Sequence, residues 1–586
     1  MPKTSTPKKN ENLSVYKVGN IYVPDEGPDS AKIIFVGEAP GETEEFERRP
    51  FVGHSGNLLT SVLGRNGLAR EEIRLANLCK YRPQYNDFKN VNGTAELFAG
   101  IAELSDWISN HHPIVIAALG NAPLYYLTGK GTGSSGISAW RGSILECTLP
   151  GCEGIKVIPT YHPSYILRDR QAYPIFDQDV KKMVYDSAFR ELNLPQRNYV
   201  IDPQELALEE WTQRLCEAEM LGTDIETARK SHTIWCIAFA PNPNTGVCIP
   251  FNDYTRPFVQ RILNSPAKKI FHFGQFDTEQ LYLNGIEVQN YVHDTLFMQH
   301  ILAPELPRSL DFITSVYTRE PYYKASGRGE IPKDQKSWGS KTDKRLLYIY
   351  NSKDSCVTIE CAIKMLEELK VEGLTGYYEY EMSLIPAGQA LGRAGLPIDE
   401  ERRSLLRNSL VNRYVKLQSA LDALVGSECN VRSPKLKTVL YNDLGLPQRR
   451  NRDGTLTVNE DAIVSLIGFV KGKIAELKTD RVKPEWNRKL AILSGVLKIR
   501  GIRQLISNYI NANISVDGKL RSTYKFAATE TGRAAGERYV DGTGFNPQTL
   551  PRTDIEVTEE DMTQTAMANM MNEFQPDEDE ELEEVA

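Results

Sequence analysis

Leu221-Gly222-Thr223-Asp224-Ile225-Glu226-Thr227 is an apolar run that ends in two carboxylates one residue apart. In an extended strand the side chains at i and i+2 leave the same face, so Asp224 and Glu226 are expected to point together. Two carboxylates that close repel each other unless a cation lies between them, and Mg2+ or Mn2+ favours oxygen ligands of this kind. An isolated Asp-x-Glu is most often solvated, so the weight rests on the flanking chain. Segments 234–240 and 247–251 read as strands on short connections, an antiparallel meander with Asp224 and Glu226 on its first strand. Segment 268–274 reads as a further strand with Asp277 at its end. A helical pattern over 344–369 then sets Tyr350 and Asp354 four residues apart on one face. Asp277 and Asp354 become the third and fourth candidate metal ligands.

At 586 residues the chain has room for about three to five domains. No apolar run is long enough to span a membrane, and the start, MPKTSTPKKN, lacks the apolar core of a signal peptide. A soluble cytoplasmic protein is expected, in the host cytoplasm if phage-encoded. The nine cysteines are scattered without a CxxC, which favours reduced thiols over disulfides or zinc. The net charge of -8 is unevenly spread. Residues 553–586 hold thirteen Asp and Glu and no Lys or Arg, so residues 1–552 carry -8 + 13 = +5. A mildly basic body with an acidic tail suits a protein that handles nucleic acid and a partner.

Near the start, Lys32-Ile33-Ile34-Phe35-Val36 reads as a buried strand running into Gly37-Glu38-Ala39-Pro40-Gly41. Strand-like segments 113–119 and 157–161 alternate with helical ones at 55–63 and 95–109, which argues for a parallel sheet with helices on both faces. Sites in such sheets lie at strand C-terminal ends. Three loops stand there: GEAPGETEEFERRPFVG (37–53), NLCKYRP (77–83) and YHPSYILR (161–168). In this order they resemble the uracil-DNA glycosylase superfamily, and its family 4 in particular, over about residues 30–190. The resemblance implies that Phe51 stacks on an extruded uracil and Asn77 reads its amide edge. His162 would stabilise the departing uracil anion, Glu38 would serve the water or the cationic sugar, and Glu44 would exclude the methyl group of thymine. Arg168 would contact DNA. Extruding a base costs a few kcal/mol and calls for a stacking surface with polar readout. Family 4 members usually hold an iron-sulfur cluster on four cysteines; here Tyr81 stands where one of them would be, so no cluster is expected. Turnover and mere sensing of uracil both remain open.

The order Asp-x-Glu, Asp, Tyr-x-x-x-Asp resembles the DEDD 3'-5' exonucleases fused to family A DNA polymerases. HFGQFD (272–277) resembles their His-Asn-x-x-Phe-Asp with Phe273 in place of Asn, and His293-Asp294-Thr295 resembles the next segment. The resemblance implies a two-metal site on Asp224, Glu226, Asp277 and Asp354, with Tyr350 orienting the attacking water.

From about residue 377 the pattern turns to long charged amphipathic helices, such as 401–425 and 488–513. LGRAGLPID, NVRSPKL and DGTLTV resemble the family A segment leading into the thumb, and STYKFAATETGRAAGERYVDGTGFNPQTLPR (522–552) resembles its Thr-Gly-Arg loop and the turn after it. By that match Thr531, Gly532 and Arg533 lie along the primer-template, with Arg533, Asn546 and Gln548 reaching its minor groove. The stretch after Arg552 is too short for a palm and fingers, so these are expected on a second polypeptide. Met567, Met570, Met571 and Phe574 form one stripe if helical and would dock it. The expected fold is α/β multidomain: a disordered N-terminal arm (1–29), a glycosylase-like parallel α/β domain (30–195), an RNase H-like exonuclease (196–375), a mostly helical thumb region with the start of a palm (376–552) and an acidic tail with a short amphipathic helix (553–586). The implied function is the N-terminal part of a split, phage-type family A polymerase. A stand-alone uracil-excising exonuclease and a non-catalytic DNA-binding scaffold are the alternatives.

Overall fold

A computed structural model describes residues 19–131, 136–228, 233–324, 344–451, 454–477 and 482–550. The expected Met stripe lies outside the described residues, as does the acidic tail. The chain forms two compact bodies, Met1–Pro386 with Phe526–Arg533, and Ala387–Lys525 with Ala534–Ala586.

The first body contains two sheets. One has the order β2-β1-β3-β5-β4, from β1 (Ile33–Gly37), β2 (Arg74–Asn77), β3 (Val115–Leu119), β4 (Leu145–Glu146) and β5 (Lys156–Thr160). All neighbours pair in parallel except β4, an antiparallel edge. Strand β1 is buried on both faces: Ile34 and Val36 enter one core, Ile33 and Phe35 the other. That is why it reads as an unbroken apolar run. The helices Ala95–His111 and His54–Arg65 supply Leu104 and Leu59 to these two cores. Residues 19–29, expected in a disordered arm, pack onto this sheet. Val23 is buried, and Asp25 makes a buried ion pair with Lys80.

The second sheet has the order β11-β10-β7-β8-β9-β6. The meander β7 (Met220–Thr227), β8 (Ile234–Asn242) and β9 (Thr245–Pro250) is antiparallel as expected. It is flanked by parallel strands β10 (Lys268–Phe271), β11 (Tyr291–Asp294) and β6 (Asn198–Ile201). Helix Lys344–Val371 packs on this sheet so closely that a methyl on Gly222 would lie 2.3 Å from the carbonyl oxygen of Ser355.

The two sheets belong to one body because polar side chains weld them. Arg141 forms a buried ion pair with Asp179 and donates from Nη1 to Oγ of Ser315, 2.9 Å away. Lys182 donates to the carbonyls of Gly142, Ser315 and Thr318 at 2.8, 2.5 and 3.0 Å. Removing one member of a buried pair of this kind typically costs about 3–5 kcal/mol.

The second body is mostly helical. Helices Glu400–Val425, Glu460–Glu476 and Lys483–Leu505 share a core of Leu417, Leu421, Leu466, Val470, Leu493 and Val496. The strands Ser522–Lys525 and Ala535–Arg538 pair antiparallel.

Candidate active sites

The first site is built at the C-terminal ends of β1, β2 and β5. The register pairs Gly37 with Asn77, so the first residue past β1, Glu38, and the last of β2 stand side by side. Asn77, expected in a loop, is the end of a strand. Gly37 is forced by what covers it: a methyl there would lie 2.6 Å from both Asn77 Oδ1 and Phe51 Cζ. Gly120, at φ +96, is similarly crowded, since a methyl would meet Glu38 Oε1 at 3.2 Å and His162 Cβ at 3.4 Å. Asn77, Phe51, Glu38 and His162 therefore cluster at these strand ends, and the Phe51 and His162 rings lie 6.3 Å apart between centroids.

Phe51 is buried and has a left-handed backbone, φ 52, unusual for a bulky side chain. Its surroundings impose that conformation. Arg70 donates to the carbonyls of Phe51 and Pro50 at 2.8 and 2.7 Å. The Glu44 carboxylate accepts from the backbone N–H groups of Gly41, Val52 and Gly53 at 3.1, 3.1 and 2.7 Å. Glu44 is thus a fastener of the Phe51 loop, whatever else it does.

His162 caps the helix Pro163–Arg168. The backbone N–H of Ser164 donates to Nδ1 at 3.2 Å, which leaves the proton of the neutral ring on Nε2. Burial, with the Arg168 charge adding to it, pulls the imidazole down to about 4, so the ring is neutral near pH 7. Burial pushes the Glu38 carboxyl up, against the backbone N–H of Ala122 and the charge of Arg168. Arg168 itself is exposed beside both groups. In the loop where the resemblance calls for a cysteine, Tyr81 packs edge-on against Tyr22 at 5.8 Å, and Cys79 is a buried thiol that bonds the Tyr81 carbonyl. One thiol in that loop does not fit a four-thiolate cluster.

The second site gathers Asp224, Glu226 and Asp354, whose carboxylate oxygens lie within 4.8 Å of one another. Burial pushes the Asp224 and Glu226 carboxyls up, and the neighbouring Asp354 adds to both shifts. Oxygen ligands so close, at a cost that a divalent cation would relieve, fit a hard metal ion. Asp277 stands outside this group of three. Its Oδ1 accepts from the backbone N–H of Ile225 at 3.2 Å, and burial pushes its carboxyl up. It is carried by the helix Gly274–Leu283 and not by a strand end as expected. The strand stops at Phe271 because Phe273 turns left-handed, φ 61. The buried Asp294 then accepts from the N–H groups of Phe273 and Gly274 at 3.0 and 2.7 Å, starting the helix.

Three residues here were missed in the sequence: Tyr323, Lys324 and Asn351. The hydroxyl of buried Tyr323 donates to Oδ1 of Asp354. The Lys324 charge opposes the upward shifts of Asp224 and Glu226, and its Nζ lies 6.0 Å from the Tyr350 ring centroid. The Tyr323 and Tyr350 rings are 5.9 Å apart. Asn351 donates from Nδ2 to Asp224 Oδ2 at 2.6 Å. The signal available was Tyr322-Tyr323-Lys324, an aromatic and basic cluster.

In the first body Thr531 and Arg533 are exposed, and the Arg533 N–H donates to Thr529 Oγ1 at 2.9 Å. Gly532 has φ +73. Arg308 secures this segment through the carbonyls of Ala527, Ala528 and Thr529. In the second body Asn546 Oδ1 accepts from Gln548 N–H at 3.0 Å. The Gln548 amide is engaged at both ends, accepting from Gly536 N–H at 2.8 Å and donating to the Ala534 carbonyl at 2.9 Å.

Comparison with known proteins gives these sites a context. Residues 24–188 match the Uracil DNA glycosylase superfamily, and residues 199–370 match a 3'-5' exonuclease family. A Type-4 uracil-DNA glycosylase of Saccharolobus solfataricus is 34% identical over 178 residues, 30% of this chain and 81% of that protein. One of Thermotoga maritima is 40% identical over 147 residues, 25% of this chain and 71% of that protein. DNA polymerase I of Synechocystis is 23% identical over 286 residues, 46% of this chain, and the match spans only 26% of that polymerase. The solved POL domain of Pol1 from M. smegmatis in complex with DNA primer-template and dNTP has a TM-score of 0.43 at 16% identity, over 61% of this chain and 57% of that one. Among the described residues no helix is long and apolar enough to cross a membrane.

Proposed function

We propose that this chain, which belongs to the uracil DNA glycosylase superfamily through its first sheet, releases uracil from DNA and trims DNA 3' ends at a second, metal-dependent site. The observation that carries the first activity is the convergence of Glu38, Phe51, Asn77 and His162 on Gly37 and Gly120. Phe51 offers a stacking face and Asn77 a carboxamide for the amide edge of the base. As the bond between base and sugar breaks, the electron pair leaves with uracil, and the neutral His162 stabilises that anion by donating from Nε2–H. Glu38 steadies the cationic sugar and the water that adds to it. Arg168 pairs with a DNA phosphate. The test is free uracil released from a uracil-containing strand: His162→Ala lowers it by orders of magnitude without slowing 3' trimming.

The exonuclease reading rests on the Asp224, Glu226 and Asp354 cluster. These residues would hold Mg2+ or Mn2+, with Asp277 contributing Oδ2, since Oδ1 is engaged by Ile225. When bound, the ions supply charge neutralisation and an activated water. Tyr350, one turn before Asp354 on the same helix, orients the attacking water. Asp224→Ala is expected to abolish degradation of a labelled single strand and leave uracil release intact.

The wider proposal is a cytoplasmic role in DNA replication or repair beside family A polymerisation, which the relation to DNA polymerase I supports. Residues 376–552 would act as a thumb region, with Thr531, Gly532, Arg533, Asn546 and Gln548 along a primer-template. Unchanged binding of a primer-template by Arg533→Ala would contradict that assignment.

A further inference from the structure

Phe46 is 86% exposed and Tyr85 87%, although each is a large ring that packing would ordinarily cover. They sit on the segments that follow β1 and β2, the strand ends at which the first site is built. Phe46 lies in the short helix Glu42–Glu47, two residues after Glu44, whose carboxylate fastens the Phe51 loop. Tyr85 precedes Asp87, whose charge reaches Glu38. Arg82 ties the two segments together: it donates from Nη1 to Glu45 Oε2 at 3.3 Å and from Nε to Asn86 Oδ1 at 2.7 Å. Tyr85 and Asn86 are both left-handed, φ 59 and 56, a backbone that holds the Tyr85 ring out into solvent.

We propose that Phe46 and Tyr85 form an aromatic rim that stacks on the bases flanking the extruded nucleotide, so that this site works on duplex DNA as well as on single strands. The proposal rests on the uracil-releasing reading of the first site. Two observations select bases over phosphates as the contact. Glu42, Glu45 and Glu47 share the Phe46 helix, Arg82 pairs with the first two, and the surplus negative charge disfavours a phosphate backbone. The rings offer π-faces, on which any base can stack. A base leaving a duplex gives up its stacking partners, whereas one in a flexible single strand gives up little, so the rim matters most for the duplex.

The experiment uses the full chain in EDTA, so that 3' trimming does not interfere, and compares Phe46→Ala, Tyr85→Ala and the double variant. Both side chains are exposed, so folding is not at stake. Each ring is expected to be worth about tenfold in uracil release from a U·A duplex, with less than threefold loss on single-stranded substrate. Equal losses on both substrates, or none on either, would overturn the rim. Binding to a duplex with 2-aminopurine beside the uracil is read in parallel. Wild type is expected to change its fluorescence and the double variant is not. If wild type releases no uracil, the excision reading fails on its own, and the fluorescence still decides: a change that persists in the double variant overturns the rim.

Discussion

Tyr323 donates its hydroxyl to Oδ1 of Asp354, joining a loop residue to one of three clustered carboxylates. A hydrogen bond to an ionised group contributes about 1.5–3 kcal/mol. Its loss leaves Asp354 free to turn away from Asp224 and Glu226. Tyr323→Phe is therefore expected to slow degradation of a labelled single-stranded 3' end by about tenfold while uracil release is retained. An unchanged rate would remove Tyr323 from the site.

Lys324 brings a positive charge to the same carboxylates. In a site meant for a phosphodiester, that charge helps to hold the strand. Lys324→Met is expected to raise the KM for single-stranded DNA by about tenfold and to make it less sensitive to salt. A fall in kcat with KM untouched would point to a different role.

His162 sets a pH dependence of stability. Its folded value of about 4 lies below the ordinary 6.5, so between these values the unfolded chain binds more protons than the folded one. Stability from this group is complete above about pH 6.5 and is lost as the pH falls toward 4, at up to about 1.4 kcal/mol per pH unit. Denaturant titrations at pH 7 and 5 are expected to show a smaller loss in His162→Asn than in wild type. Equal losses would mean that the ring titrates normally.

Glu44 separates two roles. If its carboxylate fastens the Phe51 loop through Gly41, Val52 and Gly53, Glu44→Ala lowers uracil release by about a hundredfold, because three half-buried charge-assisted hydrogen bonds go with it. It gains no release of thymine. Thymine release from a T·G duplex would instead show that Glu44 guards the site against the methyl group.

Both sheets were legible from local patterns. Asp224 and Glu226 follow from strand alternation, and Tyr350 and Asp354 from helical spacing, and the fold brings Asp224, Glu226 and Asp354 together. Asp277 was misplaced because the left-handed turn at Phe273 ends the strand early, and the residue that starts the helix, Asp294, is far away in sequence. Strands β2, β4, β6 and β11 were missed: they are short, and Arg74–Asn77 and Asn198–Ile201 carry polar residues at their ends. Tyr323 and Lys324 were not legible because their partners lie tens of residues away. The bonds that Arg141 and Lys182 make to Ser315 and Thr318 escaped for the same reason.

One chain is expected to carry two independent chemistries, one needing a metal and one not. The most direct test is free uracil released from a uracil-containing single strand by the purified chain in excess EDTA. Uracil release that continues in EDTA while 3' degradation stops, and that disappears in His162→Ala but not in Asp224→Ala, is the predicted result. No uracil release, or release that stops with the exonuclease, would contradict it.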